Sequence, residues 1–324
     1  MSRIVRALVP LTAGAMLAAG TAVPAQAAPQ AVGDVQLVTG AGWRDLHHTI
    51  RYADGNWQRW GSFASYNDEN QQLASVVING VEHVVSYGTY VHMPPQSTYD
   101  HVMRDAAGNW SEGTLPTGMD GSAEAVANLN GHLALVRKVG DGLKLSVQQD
   151  DNTWSAVETV PTTDGIGSFS VTANGDVLRV VVSTSDGTRI GDYERAANGT
   201  WAQPSWVPFN GGTATQVAVA QVGTDLQVAA VAHNGDRSEV WHGIRHANGS
   251  WDQFGYVEGA AGDIPAVKQI AVTNSRGTLQ LVASTTDGGL FHTIRFANRT
   301  WQRFGDVKAA AGPTSVGEIS LAGE

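Results

Sequence analysis

Short runs of alternating apolar and polar residues, separated by polar turns, follow one another along most of this chain. Residues 290–305, LFHTIRFANRTWQRFG, show the pattern best. Residues 290–296 alternate as a strand does, a turn follows at 298–300, and Trp301 opens a second strand. The phrase occurs in six copies, which align on Trp57, Trp110, Trp154, Trp201, Trp251 and Trp301.

The spacing of these tryptophans predicts the size of the repeated unit. Successive spacings are 53, 44, 47, 50 and 50 residues, enough for four short strands with their connections. In the last copy we predict strands at 268–273, 279–284, 290–296 and 301–307. Asn-Gly and Asp-Gly pairs, which favour tight hairpin turns, separate the predicted strands in several copies.

The first copy is incomplete, and the end of the chain supplies what it lacks. Residues 35–38 match the second strand of the last copy, and nothing before them matches a first strand. Residues 315–322 match a first strand that has no unit of its own. We therefore predict an all-β, six-bladed β-propeller with four antiparallel strands per blade, in which the C-terminal strand completes the first blade.

The N-terminus has the features of a secretory signal peptide. Arg3 and Arg6 precede an apolar run at 7–22, and Ala25-Gln26-Ala27 fits a cleavage site. We expect residues 1–27 to be removed and 28–324 to form one secreted, extracellular propeller without membrane insertion. Loss of two arginines and no acid takes the net charge from −10 to −12, which argues against nucleic acid as a partner.

The unit GTLQLVASTTDGGLFHTIRFANRTWQRFGDV resembles the repeat of PLL-like β-propeller lectins. In that family each blade carries a strand, an Asp-containing turn, an aromatic-His strand, an Asn-Gly turn, a tryptophan and a final strand with an aromatic residue. The resemblance covers essentially the whole mature chain. It implies glycan binding in several pockets between neighbouring blades, with fucose or methylated deoxy-sugars as first candidates. The founding members look seven-bladed, so six copies depart from the family.

Two further positions recur in the third strand of the units. Nine residues before the tryptophan, four of six copies have His, and six residues before it five of six have Arg. A hydrogen-bonded structural role and a sugar-binding role are both open for them, as are blade packing and sugar stacking for the tryptophans. Copies one, five and six keep the pattern of the whole repeat. The candidate carbohydrate-binding residues are Trp57, His48, Arg51, Trp251, His242, Arg245, Trp301, His292 and Arg295.

The sequence gives little support for metal binding, catalysis or a cofactor. Equivalent histidines in adjacent blades would be roughly 15 Å apart, too far to share a metal ion. The chain has no cysteine, and we find no nucleophile elbow, zinc motif or phosphate loop, so we expect no catalytic residue and no cofactor. A glycoside hydrolase, which needs a pair of carboxylates, is one alternative. A protein-binding or inhibitory propeller that acts through one face is another.

One segment breaks the repeat. The second copy has a longer loop at 88–98, around which Tyr87, Tyr90, His92 and Tyr99 are expected to form either a special pocket or an ordinary surface insertion. This loop is also the place where we expect a protein partner, if there is one.

Overall fold

The computed structural model describes residues 33–41, 45–65, 69–90, 96–235 and 237–323. These residues form six four-stranded antiparallel sheets, arranged as the blades of a β-propeller, which confirms the predicted fold class. The predicted signal peptide, 1–27, lies outside the described residues. No helix among the residues described is long and apolar enough to cross a bilayer.

Each blade runs in chain order from an inner strand to an outer one. Blade one contains β1 (Val35–Ala41), β2 (Asp45–Arg51) and β3 (Gly61–Ser65), and blade two contains β4 (Glu69–Ile78), β5 (Val81–Tyr90), β6 (Gln96–Arg104) and β7 (Trp110–Glu112). Blade three contains β8 (Ala123–Leu129), β9 (His132–Val139), β10 (Gly142–Val147) and β11 (Glu158–Val160), and blade four contains β12 (Ile166–Asn174), β13 (Val177–Thr184), β14 (Ile190–Arg195) and β15 (Ser205–Trp206).

The last two blades add a short helix to the same plan. Blade five contains β16 (Thr213–Val222), β17 (Asp225–Asn234), β18 (Arg237–Arg245), β19 (Gly255–Tyr256) and α1 (Val257–Ala261). Blade six contains β20 (Val267–Ser275), β21 (Thr278–Thr285), β22 (Leu290–Arg295), β23 (Gly305–Asp306) and α2 (Val307–Ala311), and the final strand is β24 (Ile319–Gly323).

The ring closes through the last strand, as the sequence predicts. β24 pairs antiparallel with β1, in a register that sets Val35 against Gly323 and Thr39 against Ile319. Gly40 N also donates to Glu318 O at 3.0 Å. β24 thereby becomes the inner strand of blade one, and its apolar side chains are buried there.

The outermost strand is shorter than the sequence indicates. Instead of a strand over 301–307, Trp301 makes an isolated bridge with Arg295, and regular pairing resumes only at β23. Residues 307–311 then form α2, where Asp306 caps the helix by accepting from Ala309 N at 3.0 Å. The predicted strand fails here because a small-residue run, VKAAAG, follows a capping Asp.

The hydrophobic core consists of slabs between adjacent blades. Each of the six blade interfaces in the described structure holds its own cluster of buried aliphatic side chains. The aligned tryptophan of the following blade packs on every one of these clusters, for example Trp57 on the cluster between blades six and one. The six tryptophans therefore have the packing role that the sequence left open, since an indole covers a large apolar area.

Without partners from a neighbouring blade, the inner strands would leave unpaired backbone groups facing the central channel. Polar side chains of one blade pair with the backbone of the next. Ser168 Oγ and Ser170 Oγ each accept from a backbone N–H of β16, at 3.2 Å in both cases. Gln216 bonds to both backbone groups of Ile270, at 2.7 and 3.1 Å. These bonds hold neighbouring blades in register around the axis.

Candidate functional site

The repeated histidine of one blade meets the repeated tryptophan of the next. The rings of His292 and Trp57 are 5.5 Å apart and nearly perpendicular, at 80°. His242 and Trp301 are 5.2 Å apart at 88°. The structure therefore combines residues from neighbouring copies. It does not combine the three residues of a single copy, because the third strand of each blade faces the outer hairpin of the blade that follows.

We name two of these places the 5/6 crevice, between blades five and six, and the 6/1 crevice, between blades six and one. The 5/6 crevice contains a pocket of about 310 Å³. Its lining includes His242, Gly255, Tyr256, Asp252, Arg295 and Trp301. A second pocket of about 160 Å³ shares Arg295 with it. Of the predicted residues, His242, Arg295 and Trp301 thus lie together at one cavity.

The histidines are buried and hydrogen-bonded to glutamines of the adjacent strand. His292 Nε2 lies 2.9 Å from Gln280 Oε1, and His242 Nε2 lies 2.9 Å from Gln227 Oε1. Because an amide oxygen only accepts, Nε2 donates in both pairs. Burial first, and a nearby arginine second, together lower the pKa of both imidazoles to about 3. Both rings are therefore neutral at physiological pH.

The repeated arginines fall into two groups according to whether a carboxylate contacts them. Arg195 Nε lies 3.1 Å from Glu158 Oε2, and Arg245 Nε lies 3.7 Å from Asp192 Oδ2. Within the described residues, the side chains of Arg51 and Arg295 make no hydrogen bond, and no carboxylate lies within 4 Å of either. Burial lowers the pKa of both of these guanidinium groups.

The helices α1 and α2 form one wall of the 5/6 and 6/1 crevices, and sequence analysis missed them. Phe304 N donates to Ala261 O at 2.8 Å, and Trp60 N donates to Ala311 O at 3.3 Å. Each helix ends at a glycine with positive φ, 96° at Gly262 and 99° at Gly312. The signal that could have shown this wall is the pair of related segments VEGAAG and VKAAAG, at the same place in copies five and six.

A charged cluster at the 5/6 crevice was also missed. His246 Nδ1 lies 3.2 Å from Asp225 Oδ2, and its Nε2 lies 3.0 Å from Asp252 Oδ1. The hydrogen bond with Asp252 raises the pKa of His246. Arg299 Nη1 lies 3.5 Å from the other oxygen of Asp252. The Asp252 carboxylate is therefore already engaged on both oxygens.

The remaining predicted residues lie in crevices that are filled. His48 packs against Trp110, 5.4 Å away, but Phe63 stacks on the same indole at 3.9 Å. Trp251 faces the interface with blade four, where Asp192 replaces histidine and is bound by Arg179 at 2.7 Å. The sequence cannot separate filled from open crevices, because the filling residues lie outside the three repeated positions.

The described parts of the segment 88–98, residues 88–90 and 96–98, lengthen the strands β5 and β6, and the rest of the predicted loop lies outside the described residues. β5 extends to Tyr90 and β6 starts at Gln96, with Gly88 paired to Thr98. The rings of Tyr87 and Tyr99 are 5.2 Å apart, and Tyr99 Oη donates to Gly121 O at 2.9 Å. His92, and the pocket predicted around it, lie outside the described residues. Among those that are described, no group of three or more His, Asp or Glu could hold a metal ion.

Comparison with known proteins gives a likeness of fold. No protein-family model matches this sequence, and no curated protein sequence matches it. AofleA from Arthrobotrys oligospora matches at a TM-score of 0.59 and 13% identity over 89% of this chain and 92% of that chain, as does its variant with three arginines replaced by alanine.

Two other solved structures are similar to this chain at lower TM-scores. An α-L-arabinanase from Penicillium chrysogenum, complexed with arabinobiose, has a TM-score of 0.51 and 12% identity over 72% of this chain and 80% of that chain. The fucose-specific lectin from Aleuria aurantia has a TM-score of 0.49 and 15% identity over 86% and 96%. At these identities the likeness concerns the fold alone.

Proposed function

We propose that this protein is a secreted carbohydrate-binding protein with more than one sugar site, located in crevices between blades. The observation that carries the proposal is the 5/6 crevice. There a half-buried indole, a neutral buried imidazole and an arginine with no carboxylate within 4 Å line one pocket of about 310 Å³. Such a set suits a sugar, because the ring has an apolar C–H face and a rim of hydroxyls.

Each residue type has a distinct task in this proposal. Trp301 offers its face to the C–H surface and its Nε1–H to a hydroxyl. Arg295 offers several N–H donors in a fixed geometry. His242 keeps the indole in place through its perpendicular contact, since its own Nε2–H is used by Gln227. In the 6/1 crevice, Trp57, Arg51 and His292 have the same tasks.

The resemblance to PLL-like lectins makes fucose and methylated deoxy-sugars the first sugars to test. Partners on this proposal are glycans, with export directed by residues 1–27. Weak sites that act together on one surface bind with raised effective concentration, which is the use of repeated sites in such a protein.

A non-enzymatic role also agrees with the state of the channel carboxylates. Glu124 and Glu318 line the same chamber of the axial channel. Arg137 binds Glu124 at 2.7 Å, and Gln269 binds Glu318. Each carboxyl therefore has a side-chain partner in the wall of the channel, and this structural role accounts for its presence there. Absence of sugar release from arabinan or other polysaccharides is the expected result.

The test is a glycan-array screen of residues 28–324, followed by calorimetry on each ligand found. We expect stoichiometry above one, and Trp301→Ala should remove one site. Trp206→Ala is the matched control, because Trp206 is an exposed indole stacked with Arg189 outside both crevices. A blank array with well-folded protein would reject the proposal and favour a protein partner, to be sought through the segment 88–98.

A further inference from the structure

One crevice contains a built-in ligand for the repeated Arg-Trp pair. In the crevice between blades three and four, the Glu158 carboxylate accepts from Arg195 Nε, at 3.1 and 3.2 Å to its two oxygens. The same carboxylate accepts from Trp201 Nε1. Glu158 belongs to blade three, whereas Arg195 and Trp201 belong to blade four. One carboxylate from the neighbouring blade therefore satisfies both donors.

The position of Glu158 is equivalent in every blade, and its side chain differs from crevice to crevice; it is Gly61 in blade one and Ser205 in blade four. It lies four residues after the aligned tryptophan. In blade two that position is Thr114, whose Oγ1 accepts from Trp154 Nε1 at 3.2 Å. In blades five and six it is Gly255 and Gly305. Thr114 and Glu158 each accept a hydrogen bond from the tryptophan of the next blade. In the 5/6 and 6/1 crevices a glycine occupies this position, so no side chain there accepts from that tryptophan.

Neither of these glycines is required by the backbone. Neither has a positive φ, and both are exposed. A Cβ atom built on Gly255 would meet nothing within 4 Å, and one on Gly305 would meet only His292 O at 4.0 Å. Conformation and packing therefore leave room for a side chain. What glycine provides at these two positions is empty space before the Arg-Trp pair.

The pair has the same backbone geometry in the open crevices. An isolated bridge joins Arg195 to Trp201, Arg51 to Trp57 and Arg295 to Trp301 in the same way. The guanidinium groups differ in what neutralises them. A carboxylate lies within 4 Å of Arg195 and Arg245, and the fully buried Arg104 lies near Glu82, whereas no described carboxylate lies within that distance of Arg51 or Arg295.

Asp54 acts on Arg51, and Asp252 and Asp225 act on Arg295, only from beyond 4 Å. A half-buried cation with no carboxylate in direct contact favours an anionic ligand. We infer that the 5/6 and 6/1 crevices each bind a sugar carrying a carboxylate, such as a hexuronic acid. The carboxylate bridges the arginine and the indole N–H as Glu158 does in its own crevice, and the sugar ring lies over the glycine. The crevice between blades one and two is not a third site, because Phe63 covers Trp110. This inference rests on the proposed function and adds the ligand class and the number of sites.

The first experiment compares matched sugars by calorimetry on residues 28–324. Galacturonate and galactose, and glucuronate and glucose, differ within each pair in the carboxylate. Fucose and acetate are added to test the deoxy-sugar and the bare carboxylate. We expect each uronate to bind about tenfold or more tightly than its neutral partner, since a charge-assisted hydrogen bond is roughly twice as strong as a neutral one. The expected stoichiometry is two.

The second experiment moves the internal carboxylate. Gly255→Glu and Gly305→Glu should each close one crevice and reduce the stoichiometry by one. Gly142→Glu is the matched control: this glycine also has an ordinary φ, and its Cβ would meet nothing within 4 Å. Glu158→Gly should open a third site. Thermal melting of each variant verifies folding, and if Glu158→Gly does not fold, the two glycine variants still decide the question.

The outcomes separate this inference from the proposed function. Equal binding of acidic and neutral sugars, or binding of fucose alone, would reject the carboxylate and leave a lectin. Binding of acetate as tight as that of the uronates would reject the sugar ring as part of the ligand. If the double variant Gly255→Glu/Gly305→Glu still binds uronates, the binding sites do not lie in the two crevices. No binding by any sugar would reject the lectin as well.

Discussion

His292 and Trp57 lie against each other across the seam where the last blade meets the first, 5.5 Å apart and nearly perpendicular. They are far apart in the chain, and the contact forms only when the ring is closed. The same indole packs on the buried cluster that includes Leu321 of β24. Closure of the propeller and assembly of the 6/1 crevice are therefore one structural event.

Removal of β24 should destabilise the whole ring. Deleting residues 319–324 exposes β1 and removes the buried side chains of Ile319 and Leu321, each contributing about 1.5–3 kcal/mol. We expect the melting temperature to fall by roughly 10 °C or more. Deletion of Glu324 alone is the control and should leave melting unchanged. Equal melting of the two truncations would contradict closure by the final strand.

The His-Gln pair should behave as a buried hydrogen bond. His292→Leu removes the donor and leaves Gln280 Oε1 unpaired in a buried place, at a cost of about 1–3 kcal/mol in the free energy of unfolding. Adding Gln280→Leu should restore part of that loss, because both polar groups are then absent. Urea unfolding of the single and double variants measures this. Additive losses would show that the two side chains are not coupled.

Arginines with and without a carboxylate should respond differently to the same substitution. Arg295→Met should change the free energy of unfolding by no more than about 0.5 kcal/mol and abolish binding at the 5/6 crevice. Arg195→Met leaves Glu158 without its charged partner, so a loss of about 1–3 kcal/mol is expected, with binding retained. Urea unfolding and calorimetry distinguish the two. The reverse pattern would mean that Arg295 is structural.

Glu258 should make the protein less stable at and above neutral pH than at mildly acidic pH. Burial raises the pKa of this carboxyl from 4.5 to about 7, although Val240 N donates to it at 2.9 Å. Between pH 4.5 and 7 the unfolded chain releases the proton while the folded protein retains it, so stability falls as pH rises through this range. Glu258→Gln cannot ionise. It should melt like the parent at pH 4.5 and above it at pH 8; a constant difference would refute the assignment.

The sequence was informative about the blade and less so about the interface between blades. Alternation and hairpin turns follow from local backbone preferences, so the four-strand unit, the six copies and the role of β24 could be predicted. The short outer strand could not, because propensity alone does not show that 307–311 forms α2. The lengths of β5 and β6 were missed for a similar reason, because their pairing continues beyond the length of the repeated unit.

Sequence analysis grouped the repeated His, Arg and Trp by copy, whereas the structure brings together residues of neighbouring copies. Alignment on the tryptophans identified His292 and Trp57 as equivalent positions, yet it could not show that they contact each other. How adjacent blades face each other is set by side-chain packing, which no single copy contains. For the same reason Glu158 was not recognised as the residue that fills a crevice. A comparison of the residue four places after each tryptophan would have shown the glycines.

The six-blade ring also fixes how the two open crevices are directed. They are neighbours, turned from each other by about 60° around the axis, and roughly 15 Å apart if the third strand lies about 15 Å out. Two sites on the same flank of the ring reach branches of one glycan rather than two opposing cells. We expect the protein to coat glycan-bearing beads tightly without clumping them, and clumping would show that sites on opposite flanks are in use. If the beads do not clump, the protein acts as a clamp on a single surface and not as a bridge between surfaces.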